Sequence, residues 1–515
     1  MKIVYRFTVY LAIIAMISVG AMAAKVEISP DGLDTVIIHE SDMSESEYLV
    51  TDVVPFDLTP DWSCNLRMQV GGLAAGDLDG DDDMDLAVGC YHSQSYPPYP
   101  DWRNFILYNI GGQLQSTPSW WSMDSASTTE VKIADFNNDQ RPDIFSGNGD
   151  FSLTADAIYF GLTNDSISRQ PGWTASNQTW TTGVAICDFD HDGDIDVATS
   201  NQGISPNPYR PVSIFRNNNG ALERNPSWIS QASEISSAIA WGDVNHDGWE
   251  DLAVSKWVNF YSCVYMNNQG YIPTSPDWTG NTTQGQKGIC WGDINGDTFP
   301  ELAIGGSIPT QLYPNSNGIL GTDPIWQSQN AYHGTQDMAW GDVDEDGDPD
   351  LATVEFSTGH LRIYLNRNGQ LDQTPSWQYD SPNVGTALAF ADINNDSHLD
   401  LIMGVSGQPC VSVFYSNLTS ISDIPVIPDQ SFLAQNYPNP FNASTMIEFS
   451  IGTKSLIRID IYNILGRKVA ILFEGIKDAG LHQVVWDGAN MPSGAYFYRL
   501  DTDGIAQTRK MLLIK

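Results

Sequence analysis

The side chains best placed to do chemistry here are carboxylates, and they recur in a fixed pattern. In Asp342-Val343-Asp344-Glu345-Asp346-Gly347-Asp348-Pro349-Asp350-Leu351, acids stand at positions 1, 3, 5 and 9. Carboxylates so close together repel unless a cation lies between them. A flexible set of roughly six to eight hard oxygens suits Ca²⁺ better than Mg²⁺. Gly at position 6 permits the sharp turn that folds such a loop over an ion.

The stretch occurs seven times, which separates it from a chance acidic turn. Loops three, four and six are complete: Asp188/Asp190/Asp192/Asp196 with Gly193, Asp243/Asn245/Asp247/Asp251 with Gly248, and Asp342/Asp344/Asp346/Asp350. Loop one (Asp77, Asp79, Asp81, Asp85) has Asp82 where Gly is expected. Loops two (Asp135, Asn137, Asp139, Asp143) and seven (Asp392, Asn394, Asp396, Asp400) lack the Gly and carry one neutral ligand. Loop five (Asp293, Asn295, Asp297) ends in Glu301. Up to seven Ca²⁺ sites are expected, with loops two, five and seven the weaker. His191, His246 and His398 fall inside loops at outward-pointing positions and are not expected to ligate.

The whole composition follows from this. Net charge is −39, and close to half of the 63 acids lie inside the seven loops. Seven Ca²⁺ would reduce the charge to about −25. Nucleic acid is excluded as a partner by this balance, and low Lys+Arg argues against an anionic membrane surface. Residues 1–23 read as a signal peptide: Lys2 and Arg6, an apolar run Val9 to Val19, then Ala21-Met22-Ala23. That run is too short to span a bilayer, and no later one is long enough, so no transmembrane segment is expected after signal removal. Export suits weak calcium sites, because calcium outside cells is millimolar. Six cysteines, Cys64, Cys90, Cys187, Cys263, Cys290 and Cys410, permit disulfides of undetermined connectivity. Cys187 and Cys290 stand where other repeats have small residues and read as core.

The elements that must position the loops are also repeated. Residues 24–50 form a polar N-terminal segment of undefined role, and the repeats follow from 51 to 418. Before each loop, large apolar and small residues alternate with period two, as in Ile239-Ala240-Trp241-Gly242, which reads as a strand. Second and third apolar runs follow, such as Leu252-Ala253-Val254 and Leu361-Arg362-Ile363-Tyr364-Leu365. Then comes an Asn turn, as at Asn109, Asn217, Asn267, Asn315 and Asn366, with Asn417 at that place in the last repeat and Leu162, by spacing, in the second. A Pro-x-Trp marker stands at Trp62, Trp120, Trp173, Trp228, Trp278, Trp326 and Trp377. Four short strands per repeat predict an all-β, seven-bladed β-propeller. The last repeat lacks its Pro-x-Trp and the first Pro-x-Trp lacks a preceding strand. A strand near residues 53–62 is therefore expected to close the ring, removing open edges.

These repeats resemble FG-GAP or VCBS repeats, the units of the integrin alpha-subunit propeller, over roughly residues 50–418. The resemblance implies Ca²⁺ loops on one face of the ring. The Pro-x-Trp marker and the missing loop glycines depart from that pattern, and integrin-like ligands are not implied. After a linker at 419–431, residues 432–515 read as a small Ig-like β-sandwich with runs Met446 to Ile451, Leu456 to Ile464, Lys468 to Phe473, His482 to Trp486 and Ala495 to Leu500. Tyr437-Pro438-Asn439-Pro440-Phe441-Asn442, Ile461-Tyr462-Asn463-Ile464-Leu465-Gly466-Arg467, Trp486-Asp487-Gly488 and Ser493-Gly494-Ala495-Tyr496 closely resemble the type A C-terminal sorting domain of the type IX secretion system. That implies the type IX machinery as a partner. It places the product outside the cell or on the outer-membrane surface of a Gram-negative bacterium.

No nucleophile elbow, zinc-protease helix or phosphate loop is present in the sequence, and the loop spacing accounts for the paired carboxylates. The expected function is a non-catalytic, secreted or cell-surface calcium-binding module that recognises an extracellular protein or glycan, as in adhesion. The alternatives are a structural surface-layer protein and a polysaccharide-acting enzyme using the face opposite calcium. Segment lengths vary between the second and third strands, which meet on that opposite face. The longest such segment offers Tyr96, Tyr99 and Trp102 as candidate ligand-binding residues, with Asn201 to Arg210 next.

Overall fold

The computed structural model describes residues 54–92 and 101–418, less short loop segments at 150–153, 165, 204–208, 232–233, 258–259, 284 and 330–333, and most of 432–513. The expected signal, residues 24–50, the linker and the Tyr437–Pro440 part of the tail motif lie outside the described residues, as do Tyr96 and Tyr99. The described residues are all-β and every strand pair is antiparallel.

Within residues 54–418 one four-stranded pattern recurs seven times. In the fourth repeat the inner strand is Ser236–Gly242, the second Asp251–Lys256, the third Cys263–Tyr265 and the outer Trp278–Thr279. They pair in that order, with Gly242 opposite Asp251. Six of the seven second strands run six or seven residues buried from end to end but for Gln202, so apolar residues such as Leu252-Ala253-Val254 follow one another without alternation. The seventh, Asp400–Gly407, is buried throughout.

The alternation in the inner strands has a packing cause. A Cβ on Gly242 would fall 2.5 Å from the Trp291 ring, on Gly292 2.6 Å from Trp340, and on Gly341 2.9 Å from Phe390. Each bulky residue two before a loop therefore lies over the small residue one before the preceding loop. Each inner strand packs against the next, and the last, Val384–Ala391, packs against the first, Met68–Gly76, so the circuit closes.

The Pro-x-Trp marker joins neighbouring repeats at the outside. Trp228, Trp278, Trp326 and Trp377 stand edge-on to Tyr265, Tyr313, Tyr364 and Phe414 of the following repeat, at centroid distances of 5.3–5.4 Å. The indole N–H of Trp120, Trp173, Trp228 and Trp278 donates to a carbonyl there, Ile167, Leu222, Ile272 and Gly321. At the seventh junction Trp62 packs into a cluster holding Leu107, the aliphatic equivalent of those aromatics.

The closing strand is Trp62–Cys64, paired with Val411–Val413, and Trp377 donates to the carbonyl of Phe56. This is the expected closure, with the paired strand beginning at Trp62. Cys187 and Cys290 pack against cores as expected, and all six thiols are free.

Residues 432–513 form a three-stranded and a four-stranded sheet around one core that includes Phe441, Ile459, Trp486 and Tyr498. The expected runs extend to Ser444–Ile451, Ser455–Asn463, Lys468–Lys477, Gly480–Asp487 and Gly494–Thr502. A further strand, Ile505–Leu513, was not expected as a strand. No helix of the described residues is long and apolar enough to cross a membrane.

Candidate metal centres

Each loop is built by its own acids before any ion is considered. The position-1 carboxylate collects the N–H groups of the turn. Asp77 accepts from Gly80 at 2.7 Å, Asp81 at 3.2 Å and Asp82 at 3.1 Å. Position 3 accepts from position 5, as Asn245 does from Asp247, and position 5 from position 7, as Asp247 does from Trp249. These contacts wind the loop so that positions 1, 3 and 9 converge. Among the described residues, the ligand atoms of Asp77/Asp79/Asp85, Asp188/Asp190/Asp196 and Asp342/Asp344/Asp350 lie within 4.8 Å of one another. These are the three loops with Asp at position 3. In loops two, four, five and seven position 3 is Asn, which leaves one carboxylate fewer.

The position-5 acids, expected as ligands too, are held differently. Asp81, Asp192 and Asp346 belong to the same three loops but stand outside the converging groups. Each lies exposed at the tip of its turn. One carboxylate oxygen there is taken by the position-7 N–H: Asp83 to Asp81 at 3.0 Å, Asp194 to Asp192 at 3.1 Å and Asp348 to Asp346 at 2.9 Å. The Asp192 N–H in turn donates to Asp188 at 3.0 Å. Position 5 thus braces the turn with one of its two carboxylate oxygens. Asp139, Asp247, Asp297 and Asp396 accept from position 7 in the same way.

Two backbone positions in every loop are left-handed. Position 6 has φ between 65° and 95° whether it is Gly193, Gly248 and Gly347 or Asp82, Gln140, Thr298 and Ser397. The missing glycines therefore cost strain but do not change the turn. Position 4 is also left-handed, at Gly80, Asn138, His191, His246, Gly296, Glu345 and Asn395. Most of these are residue types that tolerate that region.

The position-9 acid is the keystone. One oxygen accepts from the N–H of position 2 in all seven loops, as Val343 to Asp350 at 3.0 Å. The other accepts from the Asn turn, as Asn366 to Asp350 at 2.7 Å. Loops and Asn turns therefore share one face. In repeats two and seven the equivalent donors are Gly161 and Ser416, not Leu162 and Asn417 as spacing suggests, because the contact needs only a backbone N–H. Glu301, one methylene longer, makes the longest of these turn contacts, 3.5 Å from Asn315.

The side chain of the Asn turn ties neighbouring loops together. Asn109, Asn217, Asn267, Asn315 and Asn366 donate to the position-2 carbonyl of the preceding loop: Ile393, Phe136, Phe189, Val244 and Ile294. A second belt links position 4 of one loop to position 7 of the next: Asn138 with Asp194, Glu345 with His398, and the His191 ring stacked 4.0 Å from Trp249. The loop histidines are thus occupied by neighbouring loops.

Burial raises the position-9 acids against the pull of their amide donors. Asp85, Asp196 and Asp251 are pushed up to about 7 and Asp350 to about 8, with the neighbouring loop acids adding to the effect. Such groups resist ionisation until a cation balances them. Asp342 Oδ1 is buried with no hydrogen-bond partner among the described residues. This donor set fits a hard cation, which would be held by positions 1, 3 and 9 and would neutralise them. Loop three differs, because Arg216 lies 3.0 Å from Asp190 and supplies part of the charge itself. In loop two Arg141 lies 2.7 Å from Asp139.

Of the candidate ligand-binding residues, Trp102 is described. Its ring lies 4.0 Å from His92, and Asp101 beside it pairs with Arg103.

Comparison with known proteins gives the chain two recognisable parts. Residues 135–199 and 342–403 match the FG-GAP-like repeat. Residues 435–515 match the secretion system C-terminal sorting domain, the tail read by the type IX machinery. The tail directs the chain to the cell surface or extracellular space of a Gram-negative bacterium. No curated protein matches the chain. Among solved structures, the V. cholerae biofilm matrix protein Bap1 is 12% identical with a TM-score of 0.41, covering 72% of this chain and 92% of its own. PorZ, a surface component of the type IX secretion system of Porphyromonas gingivalis, is 15% identical with a TM-score of 0.37, covering 86% and 58%. An Agrocybe aegerita lectin recognising non-reducing terminal N-acetylglucosamine is 12% identical with a TM-score of 0.38, covering 80% and 94%.

Proposed function

We propose that this type IX-sorted chain with FG-GAP-like repeats is a calcium-stiffened, seven-bladed propeller followed by an Ig-like sandwich, and that it works as a non-catalytic recognition module outside the cell. The convergence of positions 1, 3 and 9 in loops one, three and six carries this reading. Position 5, with one oxygen held by the turn, supplies its other oxygen to the bound ion. The seven repeats of one strand pattern and the closed circuit of inner strands support the blades. Calcium then holds one face of the ring, and the opposite face is left for an extracellular protein or glycan ligand.

Raised carboxylate pKa values often mark catalytic groups. Here each position-9 acid is buried and has both oxygens on backbone amides, which supports a structural role over general acid–base work. Capture of glycans and surface proteins by the full chain, with Ca²⁺ and with EDTA, tests the reading. Capture that is lost in EDTA supports it. Absence of any ligand in Ca²⁺ favours the surface-layer alternative, and turnover of a polysaccharide favours the enzyme.

A further inference from the structure

Every inner strand carries a β-bulge near its start, at the end remote from the acidic loops. The register skips Gly71, Thr129, Thr182, Lys287, Gln336 and Thr386, one per repeat, and both Ser237 and Ala238 in the fourth. Bulges re-aim a side chain away from the ladder and are common beside binding sites. These skipped residues all line a single cavity of about 410 Å³, within the range of roughly 300–1,000 Å³ typical of small-ligand sites. It lies where the seven inner strands converge, on the face opposite the loops.

The lining is specific. Four rings face it: Tyr91, Trp180, Trp257 and Phe356, with Tyr91 stacked on Trp180 at 6.5 Å and 23°. Lys287 places its ammonium 5.1 Å from the Trp257 centroid and 5.0 Å from that of Phe356. It donates to Gln336 at 2.7 Å and has no ion pair among the described residues. Burial holds this lysine down to about 8. Two acids also line the cavity: Glu130 pairs with Lys132 at 3.1 Å, and Asp337, pushed up to about 6 by burial, accepts the N–H groups of Met338 and Leu388. Gln69, 5% exposed, lines the same cavity, and its Oε1 has no hydrogen-bond partner among the described residues. A buried, unsatisfied acceptor calls for a donor from outside.

We propose that this axial cavity binds a carboxylate-bearing sugar, a uronic acid residue of an acidic polysaccharide. Lys287 receives the carboxylate, Gln69 Oε1 accepts from a hydroxyl, and the indole faces of Trp180 and Trp257 cover the pyranose ring. An ammonium without a counter-ion selects an anion, and a charged partner strengthens the hydrogen bond. Planar rings interleaved with amides and hydroxyls suit a polyhydroxylated ring better than an apolar peptide side chain. The proposal rests on the reading of the protein as a recognition module, and it places the ligand here rather than on the segment containing Tyr96 and Tyr99.

The test is titration calorimetry on the full chain in Ca²⁺ with oligogalacturonate, oligoglucuronate and the same oligomers with their carboxyls reduced to hydroxymethyl groups. At least one uronate should bind tenfold or more tighter than its reduced form. Lys287→Gln should abolish that preference, and Trp180→Leu should weaken both forms. The wild-type comparison of acid with reduced sugar needs no variant, so a variant that fails to fold leaves the test intact. Equal affinity for acid and reduced forms, no uronate binding, or preference for an acidic peptide overturns this site. In each of these cases, capture of another ligand leaves the recognition module standing, and capture of none removes both.

Discussion

Asn217 is the sharpest test of how the loops are joined. Its side chain donates to Phe136 O of the preceding loop at 2.9 Å and to Ile195 O of its own at 3.2 Å, and it is fully buried. Asn217→Ala keeps the backbone N–H that serves Asp196 and removes both donations. Two lost bonds and two stranded carbonyls cost about 2–4 kcal/mol. Asn218, next in the same turn, makes an exposed 3.3 Å contact with Glu223, so Asn218→Ala is expected to stay within about 0.5 kcal/mol of wild type. Urea unfolding followed by tryptophan fluorescence compares the two variants, with Ca²⁺ and with EDTA. The gap should persist in EDTA, because the bonds are protein to protein. Equal midpoints for the two variants would refute the inter-repeat tie.

Three other outcomes are expected. Asp156 is fully buried and pushed up to about 7 by burial, against bonds from Asn148 N and Thr181 Oγ1. A raised folded value means stability is lost as pH rises from the unfolded value near 3.8 through about 7. Asp156→Asn should therefore raise stability by up to about 4 kcal/mol at pH 8 and little at pH 4, and an unchanged pH slope on denaturation would count against it. Thr298 holds φ 75° at position 6 of loop five. Thr298→Gly should raise the EDTA melting temperature, with relief of left-handed strain exceeding glycine entropy by about 0.5–1 kcal/mol, and a lower melting temperature would contradict this. Deleting 54–64 removes the strand paired to Val411–Val413 and should abolish cooperative, calcium-dependent melting. A deletion product that still melts cooperatively would show that closure is dispensable.

The sequence shows clearly whatever repeats at short range. The acid spacing and the Trp marker are local patterns read seven times over, and the four-strand repeat and its closing strand follow from them. Spacing does not separate the work of the acids within a loop: Asp190 and Asp192 look alike in sequence, and only the wound turn sets one inward and the other at its tip. The sequence also hides contacts whose partners lie a repeat away. Asn109 reaches Ile393 across 284 residues, and no local spacing encodes that. The turn donors at Gly161 and Ser416 stand one residue before Leu162 and Asn417, because a backbone N–H does the work and no side-chain type marks it. Left-handed position 4 had a signal in its Gly, Asn and His residues, obscured by Glu345. The axial cavity was least legible, because its lining comes one residue at a time from seven bulges, and a bulge changes register without changing composition. Lys132 and Lys287 look like interruptions of apolar strands until those strands converge.

The central claim, that the acidic loops are calcium sites supporting the ring, is tested most directly by thermal melting in low salt with Ca²⁺ and with EDTA, on wild type, Asp346→Ala and Asp297→Ala. Both acids make the same turn contact, to Asp348 N and Phe299 N at 2.9 Å, so their loss removes equal structure and differs in the metal. Binding to the native state adds about 2.7 kcal/mol per site at a hundredfold excess over Kd. The account predicts that EDTA lowers the wild-type melting temperature. It also predicts that Asp346→Ala costs more than Asp297→Ala in Ca²⁺ and that the two converge in EDTA. Melting that is unchanged by EDTA would show that the loops are not calcium sites.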